Sequence, residues 1–141
     1  MQLGFSMGID RGQRFVNLDE YDGVAIKKSL VFPQRNWNRF VSLLQQIEDC
    51  LMNNEIIEFK QQVGGSFFIS VVTCFNHVIL CSYFFNPVTG SDLYVVASFT
   101  IPLVEWSDFK VKICLINEQF TASDNFLDNF KFLPSDFFLL I

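Results

Sequence analysis

A single histidine, no Cys-x-x-Cys pair, no glycine-rich phosphate loop and no Asn-x-Ser/Thr acceptor occur in this 141-residue chain. Each absence removes a class of function. His77 sits in an apolar run with no Ser or Cys nucleophile spaced to meet it, so no catalytic residues are expected and the protein is read as a non-enzyme. The cysteines, Cys50, Cys74, Cys81 and Cys114, are too scattered for a zinc knuckle or a disulfide framework. They read as reduced, buried thiols in an intracellular protein, with no metal and no cofactor expected. Met1–Asp10 has neither a basic start nor a long apolar run, which argues against a secretory signal. Basic charge is also scarce. Ten Lys and Arg face 15 Asp and Glu, a net charge of −5, which argues against a generic nucleic-acid coat. The basic groups are unevenly placed: residues 1–69 hold seven against eight acids, residues 70–141 three against seven.

Apolar material is abundant. Half of the residues are hydrophobic and 18 are Phe, enough for a substantial core and incompatible with wholesale disorder. That material is arranged twice. Leu30-Val31-Phe32-Pro33 followed by Trp37 and Phe40 matches Phe99-Thr100-Ile101-Pro102 followed by Trp106 and Phe109, 69 positions later, and takes in both tryptophans. The same offset pairs Ile26 with Val95, Leu44 with Ile113 and Ile47 with Ile116. Two half-length units, each too small to stand well alone, are expected to share one body.

In the first unit, short apolar runs at Leu3–Ile9 and Arg14–Leu18 precede a turn at Asp22-Gly23 and a strand over Val24–Phe32. Val24, Ile26, Leu30 and Phe32 share one face of that strand, broken only by Lys28. Pro33 ends the strand and can open a helix. Trp37, Phe40, Val41, Leu44, Ile47 and Leu51 then give one helical face, closed by Asn53-Asn54. In the second unit, strands Ser66–Phe75 and His77–Phe85 join at Asn76-His77. A strand over Leu93–Ile101 leads into a helix with Trp106, Phe109, Ile113, Ile116 and Phe120 on one face. Two alternatives stay open. Phe109–Ile113 also alternates as a strand would, and Phe67–Phe85, in a stretch free of charge from Gln61 to Ser91, is long enough to span a bilayer. The expected fold is α+β, two antiparallel-sheet-plus-helix repeats forming an internal pseudo-dimer. The boundaries are 1–62 and 63–120, with an acidic, Phe-rich tail over 121–141.

Lys28-Ser29-Leu30-Val31-Phe32 with Trp37 and Phe40, and Ala97-Ser98-Phe99-Thr100-Ile101 with Trp106 and Phe109, resemble the signature of the positive cofactor four family. These are transcriptional coactivators that bind single-stranded DNA. Family members usually carry Gly where this chain has Ser29 and Ser98, and a Ser helix cap where it has Pro33 and Pro102. Ala97 replaces the lysine that opens the motif. The resemblance implies paired helices and curved sheets with grooves for single strands, built here within one chain.

Single-strand binding needs cations along phosphates and flat side chains under bases. Lys27, Lys28, Arg11, Arg14 and Lys60 are the candidate phosphate contacts; Tyr94 and Tyr83 are the candidate stacking residues. Alternation puts Ala25, Lys27, Ser29 and Val31 on one strand face in the first unit, and Tyr94, Val96, Ser98 and Thr100 on its counterpart. The tail, with Asp124, Asp128, Asp136, Phe137 and Phe138, could mimic phosphates and bases as a regulatory segment, or simply complete the core. The function expected is single-stranded-DNA binding in transcription or replication, inside the cell and including the nucleus. The alternative is a protein-interaction or assembly module of the same fold, partnered or self-associated through its apolar strands. Neither involves a membrane.

Overall fold

The structure is a computed structural model that describes residues 2–62, 67–85, 93–122 and 131–132. Among these residues the fold is α+β, with two antiparallel sheets and three helices. The chain divides into two compact units, Met1–Asn38 with Lys110–Ile141, and Arg39–Phe109. These contact-based boundaries fall elsewhere than the ends of the sequence repeat at 62 and 120.

In the first unit, β1 (Gln2–Asp10), β2 (Gln13–Asp22) and β3 (Ala25–Pro33) form a meander. Period-two alternation makes it half-buried: Phe5, Met7, Val16, Leu18, Leu30 and Phe32 are all buried on one face. Arg11 and Gly12 join β1 to β2 with φ of 51° and 77°, the positive values that a two-residue type I′ turn requires at both positions. The strand order of this sheet is β3-β2-β1-β8, where β8 (Lys131–Phe132) adds against Phe5 and Ser6. Trp37 is the centre of the unit's core, edge-on to Phe5 at 6.1 Å, Phe32 at 5.7 Å and Phe120 at 6.1 Å. Its indole Nε1–H donates to Asn117 Oδ1 at 2.9 Å, so the buried donor is satisfied.

The expected face of β3 is only half correct. Leu30 and Phe32 are buried, but Val24 and Ile26 are exposed. The cause is a bulge: Lys28 pairs with Glu20 and Ile26 with Tyr21, leaving Lys27 without a partner and reversing the alternation beyond it. The expected helix is also broken. α1 (Gln34–Ser42) and α2 (Leu44–Met52) are separated at Leu43, whose N–H bonds back three residues to Phe40 at 3.0 Å. Trp37, Phe40, Leu44, Ile47 and Leu51 are buried as the periodicity predicts, whereas Val41 is only half-buried. Asn53-Asn54 does end the helix. Asn54 takes φ 56° and Glu55 N–H bonds to Cys50 O at 2.8 Å, a Schellman closure with Asn in place of Gly.

In the second unit, β4 (Glu58–Gln62), β5 (Phe67–Cys74), β6 (His77–Phe85) and β7 (Leu93–Pro102) pair in chain order. The apolar stretch from Phe67 to Phe85 is thus two strands, and among the described residues no helix is long and apolar enough to cross a membrane. Their turn is Phe75-Asn76, with φ of 48° and 63°, one residue earlier than Asn76-His77. Ile69, Val71, Val78, Leu80, Phe99 and Ile101 supply the buried face, and α2 lies against β5 and β6. α3 (Leu103–Thr121) is one continuous helix, so Phe109–Ile113 is helical. Trp106, Phe109, Ile113, Ile116 and Phe120 are buried along it. A second bulge leaves Val96 unpaired between Val95 and Ala97, 69 positions after Lys27.

The thiols are not uniformly buried: Cys50 is, Cys74 and Cys81 are half-buried, and Cys114 is exposed on α3. Burial raises the pKa of Cys50 and of Cys81, and at Cys50 the nearby Glu55 and Asp49 add to the effect.

Candidate nucleic-acid interface

On the face of the first sheet opposite its apolar core, the register sets out cross-strand rows: Gly4–Asp19–Ser29, Ser6–Asn17–Val31 and Gly8–Phe15–Pro33. The middle of this face is acidic. Asp19, 3% exposed, accepts hydrogen bonds from the Ser29 hydroxyl and from Ser6 Oγ at 3.5 Å. Asn17 Nδ2 donates to the same Ser6 Oγ at 3.3 Å, while its Oδ1 is buried without a partner among the described residues. Tyr21 next to this network has its phenol pKa raised, first by burial and then by the Asp19 charge.

The basic candidates of this unit occupy opposite ends of the sheet. Lys27 is exposed at the bulge and Arg11 is exposed at the hairpin tip; neither makes an ion pair among the described residues. They lie roughly 25 Å apart along β2, at about 3.3 Å per residue. Lys28, beside Lys27 in sequence, is paired across the strands with Glu20 at 3.4 Å. Arg14 points its Nη1 at the Phe120 carbonyl, 2.7 Å away, where a guanidinium satisfies the last turn of α3. That role anchors the helix and leaves less of Arg14 for a ligand.

A cavity of about 590 Å³ opens at the hairpin end of the same face. Phe15, Val31 and Pro33 are its apolar walls, Gln13 and Asn17 contribute amides, and Asp10, Arg11 and Arg14 complete its lining. Composition gave no hint of it. The only sequence signals are the alternation Gln13, Phe15, Asn17 on β2 and Gly8 opposite Phe15, which presents no side chain there.

In the second unit, Lys60 pairs with Glu58 at 3.2 Å, and that hydrogen bond is the first cause of its raised pKa. Lys60 also interacts with Tyr83. Tyr83 stacks on Phe68, its cross-strand partner, with ring centroids at 5.6 Å and planes 11° apart. At 8% exposure Tyr83 offers little surface for a base, and burial raises its phenol pKa despite the lysine. Tyr94 pairs with Phe84 in the ladder, and its side chain lies outside the described residues. Val96 and Thr100 are exposed and Ser98 is half-buried, whereas Ala97, Phe99 and Ile101 between and beyond them are buried, so these three keep the common face expected from alternation. Sequence reasoning missed Phe75, which is 87% exposed at a positive φ on the β5–β6 turn.

The tail candidates Asp124, Asp128, Asp136, Phe137 and Phe138 lie outside the described residues. His77 is the first residue of β6, its Nδ1 at 2.7 Å from the Phe75 carbonyl across the turn. Among the described residues, no group of three or more His, Cys, Asp or Glu is placed to hold a metal ion. No protein-family model matches the chain, and no curated protein matches it either.

Proposed function

We propose that the protein binds single-stranded nucleic acid, with the first sheet as the principal surface, in transcription or replication. The observation that carries this reading is the hairpin end of that sheet. There an exposed guanidinium without an ion pair among the described residues, Arg11, adjoins a cavity with an aromatic wall and two amides. Lys27 marks a second unpaired cation at the far end, and the buried Asp19 between them keeps phosphates off the centre of the face. The strand's phosphates therefore meet the sheet at its ends. The reading agrees with the resemblance to the coactivator family, and it belongs inside the cell, the nucleus included.

The same reading takes the two sheets as halves of an internal pseudo-dimer. Three correspondences at an offset of 69 support it: the bulges at Lys27 and Val96, the strand ends at Pro33 and Pro102, and the helix starts at Gln34 and Leu103. The cationic Lys27 has only Val96 as its counterpart, which favours unequal halves. The acidic tail then acts as a competitor for the cationic end, Asp124, Asp128 and Asp136 standing for phosphates and Phe137 and Phe138 for bases.

Anisotropy of a labelled oligo-dT at two salt concentrations tests the function. Each phosphate contact contributes about 0.7 to the salt slope on single strands, so Arg11→Ala with Lys27→Ala should lower it by about 1.4. An unchanged slope would remove these residues from the interface. Absence of binding by the folded chain would instead favour an assembly module. The observation behind that second reading is an apolar stripe on α3, where Val104, Val111 and Leu115 are exposed.

A further inference from the structure

The β1–β2 hairpin extends beyond the end of β3. Pro33, the last residue of β3, pairs with Phe15, while β1 and β2 continue through Ile9–Arg14 and Asp10–Gln13 pairs to the turn. In the second sheet Pro102 pairs with His77, the first residue after the turn, so no such overhang exists there. The overhang is what gives the cavity its wall at Gln13.

We propose that this cavity is a subsite for one nucleobase of the bound strand, with the adjoining phosphate at Arg11; the assignment rests on the single-strand reading above. Phe15 and Pro33 offer flat apolar surfaces on which a base ring of any type can stack. Gln13 and Asn17 each carry a donor and an acceptor, the pairing that reads a base edge. Asn17 supplies an independent indication: its Nδ2 is held by Ser6, and its buried Oδ1 has no partner among the described residues. That atom is buried, so the Asn17 amide has to turn toward the cavity for an N–H of the base to satisfy an acceptor that a folded protein rarely leaves unmade. The volume, about 590 Å³, lies within the range of small-molecule sites and exceeds what one base needs. Asp10 at the rim disfavours a second phosphate beside the one at Arg11. One base and one phosphate therefore suit the site.

The test uses the full chain. Its nitrogen–proton NMR spectrum is followed while thymidine, thymidine monophosphate and inorganic phosphate are titrated separately, alongside oligo-dT anisotropy. Thymidine should move the side-chain amide signals of Gln13 and Asn17, and the monophosphate should move them at lower concentration. Phosphate alone should move only signals near Arg11. Phe15→Ala should weaken oligo-dT binding about ten-fold, as expected for one lost stacking contact. Gln13→Ala, at an exposed position that leaves the core intact, should weaken it less. Oligo-dT binding that survives both substitutions within about two-fold, with Gln13 and Asn17 signals unmoved by thymidine, would overturn the subsite and leave single-strand binding standing. Failure of the native chain to bind oligo-dT at all would remove the underlying reading, and the subsite with it.

Discussion

Tyr21, Tyr83 and Cys81 show how burial, as the largest cause, sets a pH limit on this protein. Desolvation is the first cause of the raised pKa at each, above ordinary values of 10.0 for the phenols and 9.0 for the thiol. A raised acid binds its proton more tightly in the folded chain than in the unfolded one. Its contribution to stability is therefore complete below the unfolded pKa and is lost as pH rises through the folded one. Stability should hold from neutrality to about pH 9 and fall beyond it, first through the thiols Cys50 and Cys81 and then through the tyrosines. Urea midpoints across this range check the sign. Tyr21→Phe should flatten the decline above pH 10, because it removes one of the ionisable groups; an unaltered decline would show that the phenol does not contribute.

At the scale of elements, the β1–β2 and β5–β6 turns both place two consecutive residues at positive φ and differ in chemistry. Arg11-Gly12 puts glycine at one of its two positive-φ positions, whereas Phe75-Asn76 places a bulky aromatic at φ 48°. Strain of this kind costs on the order of 1 kcal/mol or more, and an exposed Phe75 recovers nothing by burial. Phe75→Asn gives a side chain better suited to the left-handed region and should stabilise the protein by roughly 1 kcal/mol, measured by urea unfolding. If the same variant binds oligo-dT more weakly despite its higher stability, the strained ring is a contact residue. Equal affinity would make it a turn residue and nothing more.

On the scale of the whole molecule, the chain's C-terminal part is not only a tail. Lys131–Phe132 adds to the free edge of β1, giving the first sheet a fourth strand. Ending the chain at residue 122 would remove that strand and expose the backbone groups of β1, whereas ending it at 132 retains it. The shorter chain should melt at a lower temperature than the native one, and the chain ending at 132 should melt close to it. The second truncation also separates the tail's two proposed roles. It deletes Asp136, Phe137 and Phe138 while keeping β8, so tighter oligo-dT binding by it would identify a competitor segment. Unchanged affinity would leave the segment without that role.

Much of this architecture was legible because periodicity is a local property. The spacing from Trp37 to Leu51 and from Trp106 to Phe120 marked faces that are buried, and the β-branched and aromatic run between Phe67 and Phe85 marked two strands. Lys28 and Arg14 were legible as cations but not as engaged ones. Their fates depend on Glu20 across the ladder and on Phe120, 106 residues from Arg14 in sequence.

Sequence alone determined the long strands of the second sheet and the apolar side of each helix, since both follow from composition and spacing within one turn or one pleat; β4, β8 and the break at Leu43 were not legible in it. Only the tertiary structure decided the strand register, and with it the bulges, the β8 pairing, the overhang beyond Pro33 and the buried Asp19. Register is set by which strand lies beside which, and a displacement of one residue sends every side chain to the opposite face. The cavity at Phe15 and Asn17 exists only because that choice was made one way.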